Sequence, residues 1–173
     1  MPPSPLILDQ SMRNLSIPQQ FFAFANAYRN SAEALCERMI NNDSEGTWPS
    51  AAVVLMTAAH ATELFLKGLI LAKTPDADIQ SHNIDLLARD FRNLYPEHET
   101  NWNIPFKTEF PGIDDQEVEN LIRKQVPPSI RYRYPVTKDG TEWNGVSALR
   151  AATFKPVLQE LQNTFQRLAQ NVD

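Results

Sequence analysis

The chain has 173 residues, of which 42% are hydrophobic and 21% charged, and its formal net charge is −5. This length is that of one domain, and the composition is that of a globular protein and excludes global disorder. The single Cys36 excludes an internal disulfide. The acidic balance argues against a general nucleic-acid binder but does not exclude a local basic patch.

The first fifteen residues predict an N-terminal arm, followed by a single domain over residues 16–173. Prolines in the arm favour a mobile segment or a strand-like strap. No basic region precedes the short apolar triplet Leu6-Ile7-Leu8, so we expect no signal peptide.

Residues 51–72 form the most apolar segment and are numerous enough to span a bilayer. The segment carries His60, Glu63 and Lys67 near its middle, and each of these side chains is costly in hydrocarbon. We therefore expect a buried core helix, no membrane partner and a cytoplasmic location.

Helical periodicity predicts the first two helices. Ser16 and Gln19 have the spacing of a capping box. Apolar residues then recur at steps of three and four: Phe21, Phe24, Tyr28, Ala32, Leu35 and Met39. Polar residues 41–46 end this helix, and Thr47 precedes a second helix to about Lys73. The second helix is apolar on more than one face, as in the centre of a bundle.

A third helix is predicted to begin near Ser81, a natural N-cap, and to end before Pro96. The irregular stretch over residues 95–113 contains three aromatic residues, Trp102, Phe106 and Phe110. A solvated linker does not normally contain so many, so we expect this loop to pack on the body of the domain.

A short fourth helix is predicted from Asp114 to the Pro127-Pro128 pair, and the last helix carries Phe154 to Leu168. Pro156 lies either in the first turn of this last helix, with Thr153 as N-cap, or at a kink in a helix that begins near Ser147. Because neither strand patterns nor repeats are visible, the sequence predicts an all-α, up-and-down bundle of four to five helices.

Four polar side chains stand out against this apolar framework. Glu63 and Lys67 have the favourable i,i+4 order of a helix-surface ion pair, and His60 lies one turn before Glu63. The alternative is a polar cleft in which desolvation shifts pKa values. His82, in the first turn of the third helix, is expected to hydrogen-bond a neighbouring helix. His-x-x-Glu supplies too few ligands for a metal, so neither metal nor cofactor is expected.

A basic segment follows the fourth predicted helix. Residues 121–138 contain five Lys or Arg and no acid. In an extended segment, Arg131 and Arg133 would lie on one side and Tyr132 and Tyr134 on the other. Guanidinium groups suit phosphates and tyrosine rings suit bases, so these four residues are candidates for binding a nucleotide or RNA. Alternatively, the tyrosines pack into the bundle while one arginine pairs with Glu63 or with an acid of a dimer mate.

Three motifs occur in an order that resembles the HEPN domain, the higher-eukaryote and prokaryote nucleotide-binding helical bundle. They are residues 63–71 on the second helix, Ser81-His82-Asn83-Ile84 at the third, and Arg133-Tyr134-Pro135 after the fourth. The resemblance covers residues 17–170. It implies an up-and-down bundle, a homodimer, a nucleotide, RNA or protein partner, and a role in toxin–antitoxin, anti-phage or RNA-processing systems.

Many HEPN proteins are metal-independent ribonucleases that use an Arg followed four to six residues later by a His, after the third helix. No His follows Arg131 or Arg133 in this chain. Arg92 and His98 have the spacing, but earlier in the chain and with Pro96 between them, and such a pair arises readily by chance.

Three functions therefore stay open. We favour a non-catalytic dimeric module that binds nucleotide, RNA or a partner protein. The first alternative is a metal-independent endoribonuclease that uses Arg92 with His98, or Arg131 or Arg133 with His60 or His82. The second is a protein-interaction scaffold without a ligand.

Overall fold

Helices make up most of the chain in a computed structural model, which describes residues 6–96, 102–108, 120, 124–143 and 147–170. The α-helices of this part are α1 (Gln10–Arg13), α2 (Ile17–Asn41), α3 (Trp48–Lys73), α4 (Ile84–Leu94), α5 (Pro128–Arg131) and α6 (Ala151–Ala169). Within the same residues, β-type pairing is limited to one antiparallel bridge between Val136 and Glu142. The predicted all-α class is confirmed.

Helices α2 and α3 begin at the predicted caps. The Ser16 hydroxyl accepts from the Gln19 N–H, and the Gln19 side chain accepts from the Ser16 N–H at 3.0 Å. Thr47 accepts from the Ser50 N–H at the start of α3. Both caps satisfy backbone N–H groups that the first helical turn leaves without a partner.

The two long helices approach each other closely at Gly68. A Cβ there would lie 2.6 Å from the Phe22 ring, so only glycine fits without a shift of that ring. Most of the predicted stripe of α2 faces α3 and α6, but Phe24 is more than half exposed and does not belong to the core.

An aromatic cluster joins α3 and α6. The rings of Phe65 and Phe165 stack with centroids 4.0 Å apart, and Trp102 packs edge-on against both. Trp102 is only 6% exposed, and Phe106 packs against Phe154 of α6. The predicted packing of the loop is thus confirmed for residues 102–108, whereas Phe110 lies outside the described residues.

Helix α3 is the central helix of the domain. It is long and apolar enough to cross a membrane, and 78% of its most apolar stretch of 18 residues is buried inside the protein. Such burial is typical of a core helix. Cys36 of α2 is also buried, and its thiol donates to the Ala151 carbonyl at 3.2 Å.

Two predicted helix starts are wrong. Asn83, not Ser81, caps α4: its side chain accepts from the N–H groups of residues 85 and 86, while Ser81 accepts from the Asn83 N–H. Helix α6 begins at Ala151, so Thr153 is not its N-cap and Ser147 lies before it. Pro156 is therefore inside the helix, in its second turn.

Two further predictions meet the structure only in part. The arm contains the short helix α1, which differs from the predicted strand-like strap, and the triplet Leu6-Ile7-Leu8 is strongly exposed. The helix predicted from Asp114 lies largely outside the described residues.

The burial of Trp102 generates a prediction on stability. We expect Trp102→Ala to lower the free energy of unfolding by about 3 kcal/mol, because it empties an aromatic site between α3, α4 and α6. Urea denaturation followed by circular dichroism measures the change. Trp48→Ala is the matched control, since Trp48 is 46% exposed. Equal losses in both variants would contradict the packing of the loop into the core.

Candidate functional site

A groove of about 780 Å³ lies between the start of α3 and the chain that follows α5. We call it the aromatic groove. Its described lining residues are Trp48, Pro49, Ala52, Val53, Arg131, Tyr132, Arg133, Tyr134, Pro135, Glu142, Trp143 and Ser147. All four residues of the predicted binding segment, 131–134, are among them.

The segment reaches the groove by turning, so the prediction of an extended segment is wrong for residues 131–133. Pro128–Arg131 is one helical turn, and it continues as a turn in which the Tyr132 N–H donates to the Pro128 carbonyl at 3.0 Å. The Arg133 N–H donates to the Ile130 carbonyl, also at 3.0 Å. The tyrosines and arginines therefore do not separate onto two faces; both kinds of side chain line one groove.

A second turn closes the far wall. Gly140 has a φ of 81°, which a residue with a Cβ adopts only with strain, and the Val136–Glu142 bridge pairs the residues on either side of it. The Trp143 indole N–H donates to the Tyr134 carbonyl at 2.8 Å. This turn places Trp143 and Glu142 in the wall of the groove, together with residues from the start of α3.

The groove offers aromatic surface together with charge. Trp48 is 46% exposed and Tyr134 is 54% exposed, and Trp48 meets Tyr132 edge-on with ring centroids 6.4 Å apart. Arg131 and Arg133 contribute positive charge, and Glu142 contributes one negative charge. Ring faces that remain open to solvent can stack on planar ligands, and the arginine forks can bind phosphate or carboxylate groups.

The predicted polar residues His60, Glu63, Lys67 and His82 form a second arrangement together with Ser129, which we call the Glu63 cluster. Glu63 is 1% exposed. Its Oε1 accepts from Lys67 Nζ and from His82 Nδ1, each at 2.9 Å, and its Oε2 accepts from the Ser129 hydroxyl at 3.2 Å. The pair of Glu63 and Lys67 is therefore buried, and the prediction of a surface ion pair is wrong. Lys67, rather than an arginine, neutralises Glu63.

The donors around Glu63 keep it ionised. Burial by itself raises the pKa of this carboxyl, but contacts from His60, Lys67 and His82 outweigh burial and lower the pKa from 4.5 to about 2. His60 Nδ1 lies 3.6 Å from Glu63 Oε2, whereas Lys67 and His82 each donate to Glu63 Oε1 at 2.9 Å. The His60 ring packs edge-on against Tyr28 at 4.6 Å.

The structure describes only some of the candidate ribonuclease residues. Arg92 is half-buried near the end of α4, and His98 lies outside the described residues. His60 and His82 both face Glu63. Of the groove-lining residues that the structure describes, none is a histidine. Likewise, no group of three or more His, Cys, Asp or Glu in the described ranges could hold a metal ion.

Sequence reasoning missed several residues of both arrangements. Trp48 and Trp143 line the groove, and Ser129 completes the Glu63 cluster. Trp48 follows a helix cap and Ser129 follows two prolines, and neither position carries a local pattern of binding. Only long-range packing brings residue 129 against residue 63.

Comparisons with known proteins add no assignment. No family model, no curated protein and no solved structure matches the chain. The function therefore has to be argued from the aromatic groove and the Glu63 cluster themselves.

The lowered pKa of Glu63 predicts a loss of stability in acid. The folded-state pKa of Glu63 lies below 4.5, the ordinary value for a glutamate side chain. Ionised Glu63 therefore stabilises the fold above pH 4.5, and this contribution is lost as the pH falls from about 4.5 to about 2. We expect a loss of about 3 kcal/mol from this group. Glu63→Gln should lack that part of the pH dependence, although it is less stable at pH 7 because Lys67 stays buried without a counter-charge. Urea denaturation between pH 2 and 6 measures both proteins, and parallel curves would contradict the assignment.

Proposed function

We propose that the chain is a non-catalytic, HEPN-like module that binds a nucleotide, or a nucleotide within single-stranded RNA, in the aromatic groove. The observation that carries the proposal is the placement of Arg131 and Arg133 in one groove with exposed faces of Trp48 and Tyr134. A nucleotide presents an anionic phosphate and a planar base, and the groove offers partners for both.

The size of the groove supports a ligand of this class. A volume of about 780 Å³ falls within the range of about 300–1,000 Å³ that is typical of small-molecule sites. Stacking of a base on an aromatic side chain contributes about 1–3 kcal/mol without selecting a sequence. The groove thus suits one or two nucleotides better than a duplex, which needs a longer basic surface.

Glu142 orients the ligand within the groove. Its carboxylate repels phosphate, so we expect the phosphate to bind on the arginine side and the base to lie towards Trp48 and Trp143. The same carboxylate can accept a hydrogen bond from a base amino group. The mixed charge of the groove therefore favours a ligand with separate anionic and hydrogen-bond-donating ends.

The broader setting follows from the HEPN resemblance. We propose an up-and-down bundle that acts as a cytoplasmic homodimer in a toxin–antitoxin or defence system. A partner protein that competes for the groove is compatible with such a role. The ribonuclease alternative lacks support from the described groove, because the histidines placed by the structure lie around Glu63.

Charge substitutions test the groove. We expect Arg133→Ala to weaken binding of a fluorescein-labelled ten-nucleotide RNA about tenfold, since a charge-assisted hydrogen bond contributes about 1.5–3 kcal/mol. The slope of log affinity against log salt should fall by about one, as for the loss of one phosphate contact. Fluorescence anisotropy at several salt concentrations measures both quantities.

Two further variants sharpen this test. Arg13→Ala removes an exposed arginine that pairs with Asp9 of the arm and should bind like the wild type. Glu142→Gln removes the negative charge from the groove wall and should bind a few-fold more tightly. Wild-type affinity in all three variants would refute nucleotide binding in the groove.

The ribonuclease alternative has its own test. We expect the protein to produce no RNA cleavage in EDTA above the level of identically purified Arg92→Ala and His98→Ala variants. Gel analysis of a labelled single-stranded RNA after long incubation measures the products. Cleavage by the wild type that disappears in His98→Ala would contradict the non-catalytic proposal and establish the enzyme.

A further inference from the structure

We infer that Glu63 is a positioning residue: through Ser129 it holds the turn that carries Arg131 to Tyr134 and thereby shapes the aromatic groove. That the groove takes a nucleotide rests on the proposed function. The role of Glu63 in ordering the wall of the groove is independent of the proposed function, because it follows from the contacts of Ser129 alone.

The donors around Glu63 are divided between its two carboxylate oxygens. Both Lys67 and His82 donate to Oε1, whereas Oε2 accepts a hydrogen bond from Ser129 and has His60 at 3.6 Å. An ionised carboxylate accepts hydrogen bonds on both oxygens but donates none. Ser129 must therefore be the donor, and its hydroxyl has a defined direction.

Ser129 lies close in the chain to the residues that line the groove. It lies in α5, is 3% exposed, and precedes Arg131 by two residues within the same helical turn. A single turn has no stability of its own, because helix nucleation is unfavourable. The orientation of α5, and of the turn after it, must therefore come from tertiary contacts.

Side-chain contacts attach this part of the chain to α3. They include the hydrogen bond from Ser129 to Glu63 and the edge-on contact of Tyr132 with Trp48. The second contact lies at the exposed rim of the groove, since Trp48 is largely open to solvent. The buried hydrogen bond constrains the orientation of the turn more strongly than the ring contact does, because its acceptor is a charged carboxylate oxygen.

The Ser129 hydroxyl affects the position of the turn more than the pairing of the buried Glu63 charge. Without the Ser129 hydroxyl, Glu63 still has Lys67 and His82 as donors, so its charge stays paired. Ser129→Ala therefore removes the hydrogen bond between the turn and Glu63 and leaves the other donors of Glu63 in place. Glu63→Gln is less suitable, because it also affects Lys67.

Amide hydrogen exchange tests the inference without any ligand. The Tyr132 and Arg133 N–H groups donate within the turn, so their exchange reports its order. We expect these two amides to exchange at least tenfold faster in Ser129→Ala (a change that NMR resolves), with a smaller acceleration of exchange in α2. RNA affinity should fall about tenfold in parallel.

Thr62→Val is the matched control. It removes a fully buried hydroxyl that bonds only the Ala58 carbonyl of its own helix among its described partners. We expect it to leave both the turn amides and the affinity unchanged.

Two results would overturn the inference. One is wild-type exchange of the Tyr132 and Arg133 amides in Ser129→Ala. The other is a uniform acceleration of all amides with a lower urea midpoint, which would make Ser129 a general packing residue. If the wild-type protein binds no RNA, the proposed function fails, and the exchange of the two amides still decides whether Glu63 positions the turn.

Discussion

Glu63 sits in the middle of the most apolar helix of the chain, where a carboxylate has almost no access to solvent. An unpaired charge in such surroundings is strongly unfavourable, so this position requires donors from whatever elements pack against it. Lys67 comes from the same helix, His82 from the approach to α4, and Ser129 from α5. One buried side chain thus constrains three separate parts of the chain.

That constraint connects the core to the aromatic groove. Helix α3 carries Trp48 and Val53 in the groove wall, Glu63 in the polar cluster and Phe65 in the aromatic core. Because Ser129 is tied to Glu63, the opposite wall of the groove is set by the same helix. A groove whose two walls are both held by one helix is better ordered before a ligand binds. Such preorganisation lowers the entropic cost of binding.

Local signals predicted the long helices well, because capping and periodicity depend on residues within a few positions of one another. They failed where a competing local interaction was available. Asn83 displaced Ser81 as the cap of α4, since a side-chain amide oxygen two residues further on accepts the same kind of hydrogen bond. The alternation of arginine and tyrosine suggested an extended segment, but the preceding prolines begin a helical turn that runs into this segment.

The acidic composition argues against a general nucleic-acid binder. The residues of the sequence by themselves determined the all-α class, the capped α2 and α3, and the basic, aromatic character of residues 131–134. Only the tertiary structure decided that the ion pair of Glu63 and Lys67 is buried, that Ser129 joins it, and that Trp48 and Trp143 face the arginines across one groove. The physical reason is separation along the chain: residues 63 and 129, like residues 48 and 143, meet only through packing. Neither helical periodicity nor a capping motif indicates a contact between residues so far apart in the chain.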